Sequence, residues 1–340
     1  MSSSLNLGFW RDRPVAVTGA TGFLGSHVCQ LLVSLQARVR ALIRPSSITR
    51  HLRGLDLELV VAPLDDEQLL VRALGGQDII LHLAGSVHFR NDWQSAWQTN
   101  VEGSRRLLEA ASRARVRRIV YVSSIVTIGA TREPHVLDES TPWNLSHVDV
   151  PYIQSKHFAE QLILGHAHRG WNIVVVNPGC IVGPDDYGHS EFGVLCRRFW
   201  HGRIPFVFRG GANFVDVRDV AQGVLLAAQW GRRGHRYILG GVNRTWLDFF
   251  RDLARLSPRP IPRMWMPTGL APALALLGRF LDQRPGKRPY LSKAQAELIS
   301  WFFFVSNQKA SEELGYRVRS WQETIRDTYI FWMRHDPDSH

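Results

Sequence analysis

Lysine is nearly absent from this chain of 340 residues, which contains 4 lysines and 37 arginines. Three of the lysines lie after residue 286, and the fourth is Lys156. Arginine therefore supplies almost all of the positive charge, and the formal net charge is +11. A lysine kept at one central position indicates a site that needs a compact ammonium and does not suit a broad, planar guanidinium.

Cysteines and long apolar runs are also scarce. Cys29, Cys180 and Cys196 are scattered and odd in number, which argues against a disulfide framework and favours a reducing cytoplasm. The first residues lack the apolar core of a signal peptide. The longest uncharged apolar run, residues 264–278, is shorter than the roughly 20 residues that span a bilayer. We expect a buried or lid helix there, with a shallow membrane-surface contact as the alternative.

The basic charge is not accompanied by a helix-turn-helix, a zinc-ligand spacing or an RNA-binding motif. We therefore expect no nucleic acid partner and no metal site. The arginines are interpreted as a solvated basic face, with anionic lipids or phosphorylated metabolites as the alternative partners.

Short apolar runs alternate with helix-like windows through the first half of the chain. The runs cover residues 14–19, 37–44, 55–63, 78–85, 116–124 and 172–179, and the helical windows cover 22–35, 66–74, 93–114 and 152–169. This alternation predicts an α/β fold of the Rossmann type, a doubly wound parallel sheet with helices on both faces. Ligands are expected at the carboxyl ends of its strands.

The pattern changes after residue 184, where loops and helical windows near 190–201, 216–230, 245–256, 292–300 and 321–334 replace the alternation. We predict a dinucleotide-binding domain over residues 1–184, to which 213–241 returns. Residues 185–212 and 242–340 are predicted to form a smaller, mainly helical substrate-binding part.

Three glycines follow the first predicted strand and open the first long helix. Gly19 permits a tight turn, Gly22 lets the backbone approach a pyrophosphate, and Gly25 allows close packing of helix and strand. A pyrophosphate is favoured at the helix N-terminus. The spacing and position predict a nicotinamide dinucleotide site.

The second strand indicates which dinucleotide is preferred. NAD-selective sites place an acidic residue about 20 residues beyond the glycines, but no Asp or Glu occurs between Gly25 and Asp56. Arg44 ends the strand, followed by Ser46, Ser47 and Arg50. These donors suit a 2′-phosphate, so NADP(H) is favoured and NAD(H) is the alternative.

Tyr152 and Lys156 are four residues apart, so they share one face of a helix. A free phenol has a pKa of about 10, and a nearby ammonium favours the phenolate and lowers that pKa. The pair therefore predicts an acid/base tyrosine supported by a lysine.

Several motifs together resemble the extended short-chain dehydrogenase/reductase superfamily, also called the NAD-dependent epimerase/dehydratase superfamily. They are TGATGFLG (18–25), LHLAG (81–85), NVEG (100–103), YVSSIVTIG (121–129), YIQSK (152–156), NPGCIVGP (177–184) and NFVDVRDVAQG (213–223). YILGG (237–241) and residues 314–328 are similar to the branch of dihydroflavonol-4-reductase-like proteins and hopanoid-associated sugar epimerases.

The resemblance implies roles for individual residues. Tyr152 would be the acid/base, and Lys156 would bind the nicotinamide ribose. Ser124 would bind the reacting oxygen, with Ser123 the weaker candidate, and Asn100 would complete a proton relay. The remaining cofactor contacts implied are Gly19, Thr21, Gly22, Phe23, Leu24, Gly25, Arg44, Leu83, Ala84, Gly85, Val122, Pro178 and Gly179.

One position departs from the family pattern. Pro63 stands where the family often has an aspartate that reaches the adenine. Asp65 or a backbone group near Leu64 would have to replace that contact.

Two enzymatic activities stay open on the sequence. One is reversible NADP-dependent reduction of a ketone to a secondary alcohol, and the other is 4-epimerisation of a nucleotide-linked sugar with tightly bound NAD. Ile125 and Val126 replace the acidic pair of the dehydratases and disfavour dehydration. Some relatives of this superfamily only sense the NADP/NADPH ratio, and these typically lose the tyrosine or the lysine. Because Tyr152, Lys156 and Ser124 are all present, a non-catalytic NADP(H) sensor is a remote alternative.

The substrate is expected to be a small molecule, either a ketone or alcohol, a sugar nucleotide or a lipid-linked compound. Aromatic residues that could shape its pocket are Phe89, Trp93, Trp143, Phe192 and Trp200, and candidate phosphate contacts are Arg209, Arg218 and Arg244. In relatives, helices like 93–114 and 152–169 commonly form a homodimer, which we expect here.

Overall fold

A computed structural model of the chain describes residues 5–87, 92–257, 259–262, 264–265 and 298–335. Phe89 lies outside these residues, as do most of the 264–278 segment and most of the predicted helix at 292–300. The lid-helix and membrane-contact hypotheses for 264–278 therefore remain predictions.

The described chain contains thirteen strands. They are β1 (Pro14–Thr18), β2 (Arg38–Ile43), β3 (Leu57–Val61), β4 (Ile79–His82), β5 (Arg118–Val122), β6 (Ile173–Pro178), β7 (Cys180–Val182), β8 (Phe206–Val207), β9 (Gly211–Asp216), β10 (Arg236–Leu239), β11 (Val242–Thr245), β12 (Met264–Trp265) and β13 (Phe302–Phe303). Seven of them form one sheet in the order β10-β6-β5-β4-β1-β2-β3. Every pairing in that sheet is parallel, as the alternating sequence pattern predicts.

Helices cover both faces of this sheet. The helices of the described residues are α1 (Leu7–Trp10), α2 (Phe23–Ser34), α3 (Glu67–Leu74), α4 (Trp93–Trp97), α5 (Gly103–Arg113), α6 (Pro151–His168), α7 (Glu191–Trp200), α8 (Val217–Trp230), α9 (Trp246–Ala254), α10 (Gln308–Leu314) and α11 (Trp321–His335). Three of them, α7, α9 and α11, pack in the smaller part. One apolar core lies between the sheet and α2, α8 and α10, and a second lies between the sheet and α3, α5 and α6. None of the described helices is both long and apolar enough to cross a membrane.

The strand order reverses between β1 and β4, which lie side by side although two strands separate them in the sequence. Ligands of doubly wound sheets bind at such a switch point, beyond the carboxyl ends of the strands. The glycine turn follows β1 here, and the Leu83–Gly85 loop follows β4. The fold therefore brings two predicted cofactor segments to one place.

The smaller part differs from the prediction in one respect. It contains helices, but its centre is a second sheet in which β9 pairs with β7, β11 and β13. Within the predicted return segment 213–241, β9 belongs to this second sheet, whereas α8 packs against the large sheet and β10 belongs to it. The division of the chain into two domains stays a prediction. Short strands of two to six residues carry too little periodicity to be recognised between helical windows.

The predicted helix over 93–114 is not continuous. A π-helical turn, Gln98–Glu102, separates α4 from α5. Such turns frequently occur at functional sites, and this one contains Asn100, whose side chain is buried.

A buried ion cluster fastens the C-terminal helix to the large domain. Arg319 donates to Asp219 with a separation of 2.8 Å, and Arg218 contacts both Asp216 and Asp327 at 2.8 Å. Since Arg218 is held by two carboxylates, it is poorly suited to its predicted role as a substrate-phosphate contact.

The turn between β1 and α2 is tightly packed. Gly19 has a φ of +70°, and a Cβ atom there would lie 2.7 Å from the Ala84 nitrogen. A Cβ atom on Gly25 would lie 2.0 Å from the Gly19 carbonyl oxygen. The backbone can follow this path only if residue 25 has no side chain.

We expect Gly25→Ala to destabilise the protein by about 1–3 kcal/mol, because the backbone must move to admit the methyl group. Urea unfolding measures the change. Gly188→Ala is the matched control, since no atom lies within 4 Å of a Cβ at that position. Equal stabilities of the two variants would contradict this packing argument.

Candidate active site

The N-terminus of α2 can receive an anion. The helix begins after Gly22 without a side-chain cap and without an acidic residue in its first turn. Its first backbone N–H groups therefore keep their positive partial charge. The open turn and the absence of a Cβ at the three glycines fit a dinucleotide pyrophosphate, with Thr21, Phe23 and Leu24 lying between them.

The end of β2 carries the predicted selectivity residues. Arg44 is exposed directly after the strand, and its backbone N–H donates to the Ser47 hydroxyl at 2.9 Å. Among the described residues, no acidic side chain forms an ion pair with Arg44. Its guanidinium is thus available to an anion.

Two neighbouring aspartates follow β3, and their side chains have different surroundings. Asp66 caps α3 by accepting from the Leu69 N–H at 2.9 Å. Asp65 is exposed, and Leu64 is half-buried with its side chain against Gly103. Asp65 therefore remains the free carboxylate near the predicted adenine position.

Tyr152 and Ser124 come together from different elements. Tyr152 lies in the first turn of α6, which begins at Pro151, and Ser124 follows β5 and caps the short 3-10 helix Ile125–Thr127. Their side chains form a hydrogen bond. Ser123 instead lies 3.4 Å from the Thr127 hydroxyl, so the structure favours Ser124 over Ser123.

Burial raises the pKa of Tyr152 to about 12, and the hydrogen bond with Ser124 opposes this rise. The expectation of a lowered pKa is wrong for the polypeptide itself. Burial penalises the phenolate more strongly than its surroundings stabilise it. At neutral pH the phenol therefore carries its proton.

Lys156 is buried, with 3% of its surface exposed. Its Nζ donates to the Val122 carbonyl oxygen at 3.1 Å and lies 5.3 Å from the centre of the Tyr121 ring. A Cβ atom on Gly85 would lie only 3.1 Å from this Nζ, so a larger residue at position 85 would displace the ammonium. Burial lowers the pKa of Lys156 to about 8, and the negative charge of Glu160 opposes that shift.

Asn100 connects the loop after β4 to α6. Its Oδ1 accepts from the Ser86 N–H at 2.7 Å, and its Nδ2 donates to the Ser86 carbonyl and to the Ser155 hydroxyl. The Ser155 hydroxyl in turn donates to the Tyr152 carbonyl at 3.1 Å. Asn100 therefore holds the start of α6, and no bond to the Tyr152 phenol is needed for that function.

A buried histidine completes a chain of hydrogen bonds that the sequence analysis missed. The Ala84 N–H donates to Thr18 Oγ1, which lies 2.7 Å from His82 Nδ1, and His82 Nε2 lies 3.1 Å from Ser104 Oγ. Ser104 donates to the Asn100 carbonyl at 2.6 Å. Burial lowers the pKa of His82 to about 3, with a smaller effect of Lys156, so the ring is neutral.

The direction of these bonds fixes the tautomer of His82. Because the Ser104 hydrogen is used for the Asn100 carbonyl, Ser104 accepts from His82 Nε2–H, and Nδ1 accepts from Thr18. The chain connects the residue before the glycine turn to the π-helical turn. Its sequence signal was the histidine in LHLAG, a polar residue in an otherwise apolar strand.

The remaining cofactor candidates surround the same cleft. Leu83 and Ala84 are half-buried beside the glycine turn. Pro178 ends β6, and the Gly179 N–H donates to the Leu239 carbonyl at 3.2 Å. A Cβ atom on Gly179 would lie 2.6 Å from Asn213 Oδ1, which explains why glycine stands there.

One side of Tyr152 faces an apolar cluster. Val126, Leu145, Leu298 and Trp301 share this cluster with the tyrosine, and Trp143 packs against it. Trp143 stacks on His157 with ring centres 3.5 Å apart and donates to the Val126 carbonyl.

The other predicted substrate residues are less well placed. Phe192 and Trp200 belong to the core of the smaller part, and Trp93 is exposed and donates to Asp149. Arg209 pairs with Glu133 at 2.7 Å and Arg244 pairs with Asp252 at 2.9 Å, so neither arginine is free for a substrate phosphate. Within the described residues, no group of three or more His, Cys, Asp or Glu side chains could hold a metal ion.

One groove of the described chain lies away from these residues. A groove of about 950 Å³ lies at the amino ends of β1–β3, lined by Arg11, Arg38, Arg40 and Gln77 among others. It is at the opposite edge of the sheet from Tyr152. The chemistry of the side chains, rather than the size of a groove, identifies the candidate site.

Several known proteins are similar to this chain in sequence. Residues 15–240 match the NAD dependent epimerase/dehydratase family. A provisionally named dihydroflavonol 4-reductase of Synechocystis sp. is 32% identical over 323 residues, covering 94% of each chain. Sterol demethylase protein B of Methylococcus capsulatus is 32% identical over 323 residues, covering 94% of this chain and 97% of that protein.

A solved structure gives the same result. A nucleoside-diphosphate-sugar epimerase from Pseudomonas aeruginosa is 26% identical, with a TM-score of 0.79 over 95% of this chain and 98% of the other. The chain therefore belongs to the NAD dependent epimerase/dehydratase family of the extended short-chain dehydrogenase/reductase superfamily, and it is an enzyme of the oxidoreductase and epimerase type.

Proposed function

We propose that the enzyme reduces a ketone to a secondary alcohol, reversibly, with a nicotinamide dinucleotide. The observation that carries this proposal is the buried Tyr152 phenol, hydrogen-bonded to Ser124 and one helical turn from the Lys156 ammonium. A protonated phenol next to a hydroxyl can bind a carbonyl oxygen and give it a proton.

Ser124, Tyr152 and Lys156 have different roles in this reduction. When bound, the reduced nicotinamide supplies the hydride that the carbonyl carbon accepts. Ser124 donates a hydrogen bond to the carbonyl oxygen, and Tyr152 transfers its proton to that oxygen, so that an alcohol forms. Lys156 binds the nicotinamide ribose and favours the phenolate that remains.

The protonation state of Tyr152 supports the reductive direction. Its pKa of about 12 keeps the phenol protonated at physiological pH, as a general acid requires. Lys156 has a pKa of about 8, so its side chain carries a positive charge below about pH 8. Turnover in the reductive direction should accordingly fall as the pH rises through about 8.

We infer that the substrate presents a bulky apolar group beside its ketone. The buried cluster of Val126, Leu145 and Trp301 gives one side of Tyr152 apolar surroundings. A relative named for sterol chemistry supports the same class of substrate.

A second candidate is 4-epimerisation of a nucleotide sugar with retained NAD. The likeness to a nucleoside-diphosphate-sugar epimerase favours it, but the pairing of Arg209, Arg218 and Arg244 with carboxylates weighs against it. The remote alternative of a non-catalytic sensor would leave the hydroxyl, phenol and ammonium without a purpose.

We also propose that the enzyme is a homodimer in the cytoplasm. Exposed aromatic side chains on α4 and α6 support the dimer: Trp93 is 43% and Phe158 is 47% exposed, and the Trp97 and Phe158 ring centres are 5.4 Å apart. Cysteines without disulfide bonds are consistent with a reducing compartment.

The first test uses the absorbance of the reduced nicotinamide at 340 nm with NADPH and a polycyclic ketone such as a 3-ketosteroid. We expect stoichiometric consumption by the wild type. Tyr152→Phe should lose at least about 100-fold in kcat, because it lacks the acid. Lys156→Arg should lose a similar factor and should also unfold at a lower temperature than the wild type, because buried guanidinium donors would be left without acceptors.

An epimerase would show no net change at 340 nm and would release NAD on denaturation. Either result would overturn the reductase proposal. Near-normal turnover by Lys156→Arg would contradict the role given to the ammonium.

The second test concerns the cofactor. We expect Arg44→Ala to weaken NADPH binding by about tenfold and to leave NADH binding nearly unchanged, since only NADPH has the 2′-phosphate. Cofactor fluorescence titration measures both affinities. Arg11→Ala is the control, because Arg11 lies at the opposite edge of the sheet. An equal loss for both dinucleotides would refute NADP selectivity.

The third test concerns assembly. Phe158→Asp should convert the dimer to monomers in sedimentation experiments, because it places a charge in the proposed apolar interface. Trp230→Asp on α8, which replaces an aromatic residue of the same 47% exposure, should leave the dimer intact. A monomeric wild type would exclude the proposal.

A further inference from the structure

Glu160 is a buried carboxylate that the proposed chemistry does not use. It lies on α6, one helical turn after Lys156, and its side chain is fully buried. One oxygen accepts from Asn177 Nδ2 at 2.7 Å and lies 2.7 Å from the Thr127 hydroxyl, and the other contacts Arg236 at 3.1 Å. Each carboxylate oxygen thus has at least one donor, as a buried charge requires.

The partners of Glu160 belong to the elements that carry the candidate active site. Thr127 Oγ1 lies 2.7 Å from the Ser124 carbonyl oxygen, so Thr127 connects the Ser124 turn to the cluster. Asn177 immediately precedes Pro178 at the end of β6 and also donates to Thr127 at 2.9 Å. One carboxylate therefore connects the lysine helix, the serine turn and the β6 end.

The charges around Lys156 explain why this carboxylate matters electrostatically. The β strands present the neutral rings of His82 and Tyr121 to the ammonium, and its own helix presents the protonated Tyr152. Glu160 is the negative group that acts on it, and Arg236 from β10 lies on the far side of Glu160. The same two charges act on the pKa of His157, which Glu160 raises and Arg236 lowers.

We infer that Glu160 is a positioning residue: it locks the Lys156, Ser124 and Pro178 segments together and keeps the Lys156 ammonium charged, with Arg236 as the counterweight that limits its negative charge. This inference rests on the proposed function, because it assigns to Glu160 the support of the proposed ribose-binding lysine. The residue touches neither cofactor nor substrate and acts through the lysine and the serine turn.

A change of charge at Glu160 should move the pH at which Lys156 loses its proton. Residues four apart on a helix have Cβ atoms about 5–6 Å apart, and a nearby opposite charge commonly shifts a pKa by about 1–3 units. Glu160→Gln keeps the shape and most hydrogen bonds but removes the charge. The alkaline loss of dinucleotide affinity should therefore begin about one pH unit lower in this variant than in the wild type.

The test is the dissociation constant of NADPH between pH 6.5 and 10, measured by fluorescence of the reduced nicotinamide. We expect Glu160→Gln to bind about tenfold more weakly than the wild type at pH 9 and within about twofold of it at pH 6.5. Glu109→Gln, an exposed glutamate on α5, should follow the wild-type curve. A structural defect alone would weaken binding equally at every pH.

A second variant gives a shift of opposite sign. Arg236→Gln removes the counterweight, so the alkaline midpoint should move upward. Midpoints that stay at the wild-type value in both variants, or move downward in both, would overturn the inference while leaving the proposed function intact. A wild type that binds no reduced dinucleotide would instead overturn the proposed function and the inference with it.

Discussion

The burial of a single ammonium is the constraint on which the candidate site depends. Lys156 has 3% of its surface exposed, and its Nζ reaches the Val122 carbonyl at the carboxyl end of β5. An isolated buried charge costs several kcal/mol. The surrounding structure offsets that cost with the Val122 carbonyl, the Glu160 carboxylate and the Tyr121 ring face.

Hydrogen bonds fix the groups around the ammonium before any ligand binds. The chain from Thr18 through His82 and Ser104 to Asn100 ties the glycine turn to the π-helical turn. Gln154 donates to the Leu145 and Val148 carbonyls and so holds the loop that leads into α6. Since catalytic electrostatics depend on preorganised dipoles, these interior bonds matter as much as the residues that meet the substrate.

The sequence was sufficient to predict the large sheet, because its strands are short apolar or alternating runs, most of which end at a small or turn residue. It also predicted that the three glycines lie at the turn into α2 and that Tyr152 and Lys156 share one helix, since their spacing has a direct geometric meaning; the roles of these residues remain proposals. These features are local, and local patterns survive in a sequence read without a structure.

The features that the sequence could not predict depend on contacts between distant segments. The small sheet is built from short strands that are far apart in the chain. The carboxylate partner of Arg209 lies 76 residues away, so its neutralisation is invisible in the sequence. The pKa of Tyr152 was predicted from one neighbour, whereas burial by many residues determines it.

The presence of lysine rather than arginine at position 156 has a physical explanation. A guanidinium carries five N–H donors in a fixed fork, and each buried donor left unpaired costs about 1–3 kcal/mol. The Val122 carbonyl accepts one hydrogen bond from the ammonium. The narrow space beside Gly85 cannot accommodate a planar guanidinium. An ammonium can rotate its remaining donors toward a ligand hydroxyl, and its pKa of about 8 leaves it charged at neutral pH. Arginine suits the exposed surface, where water satisfies every donor, and lysine suits this interior position because its few donors match the few acceptors.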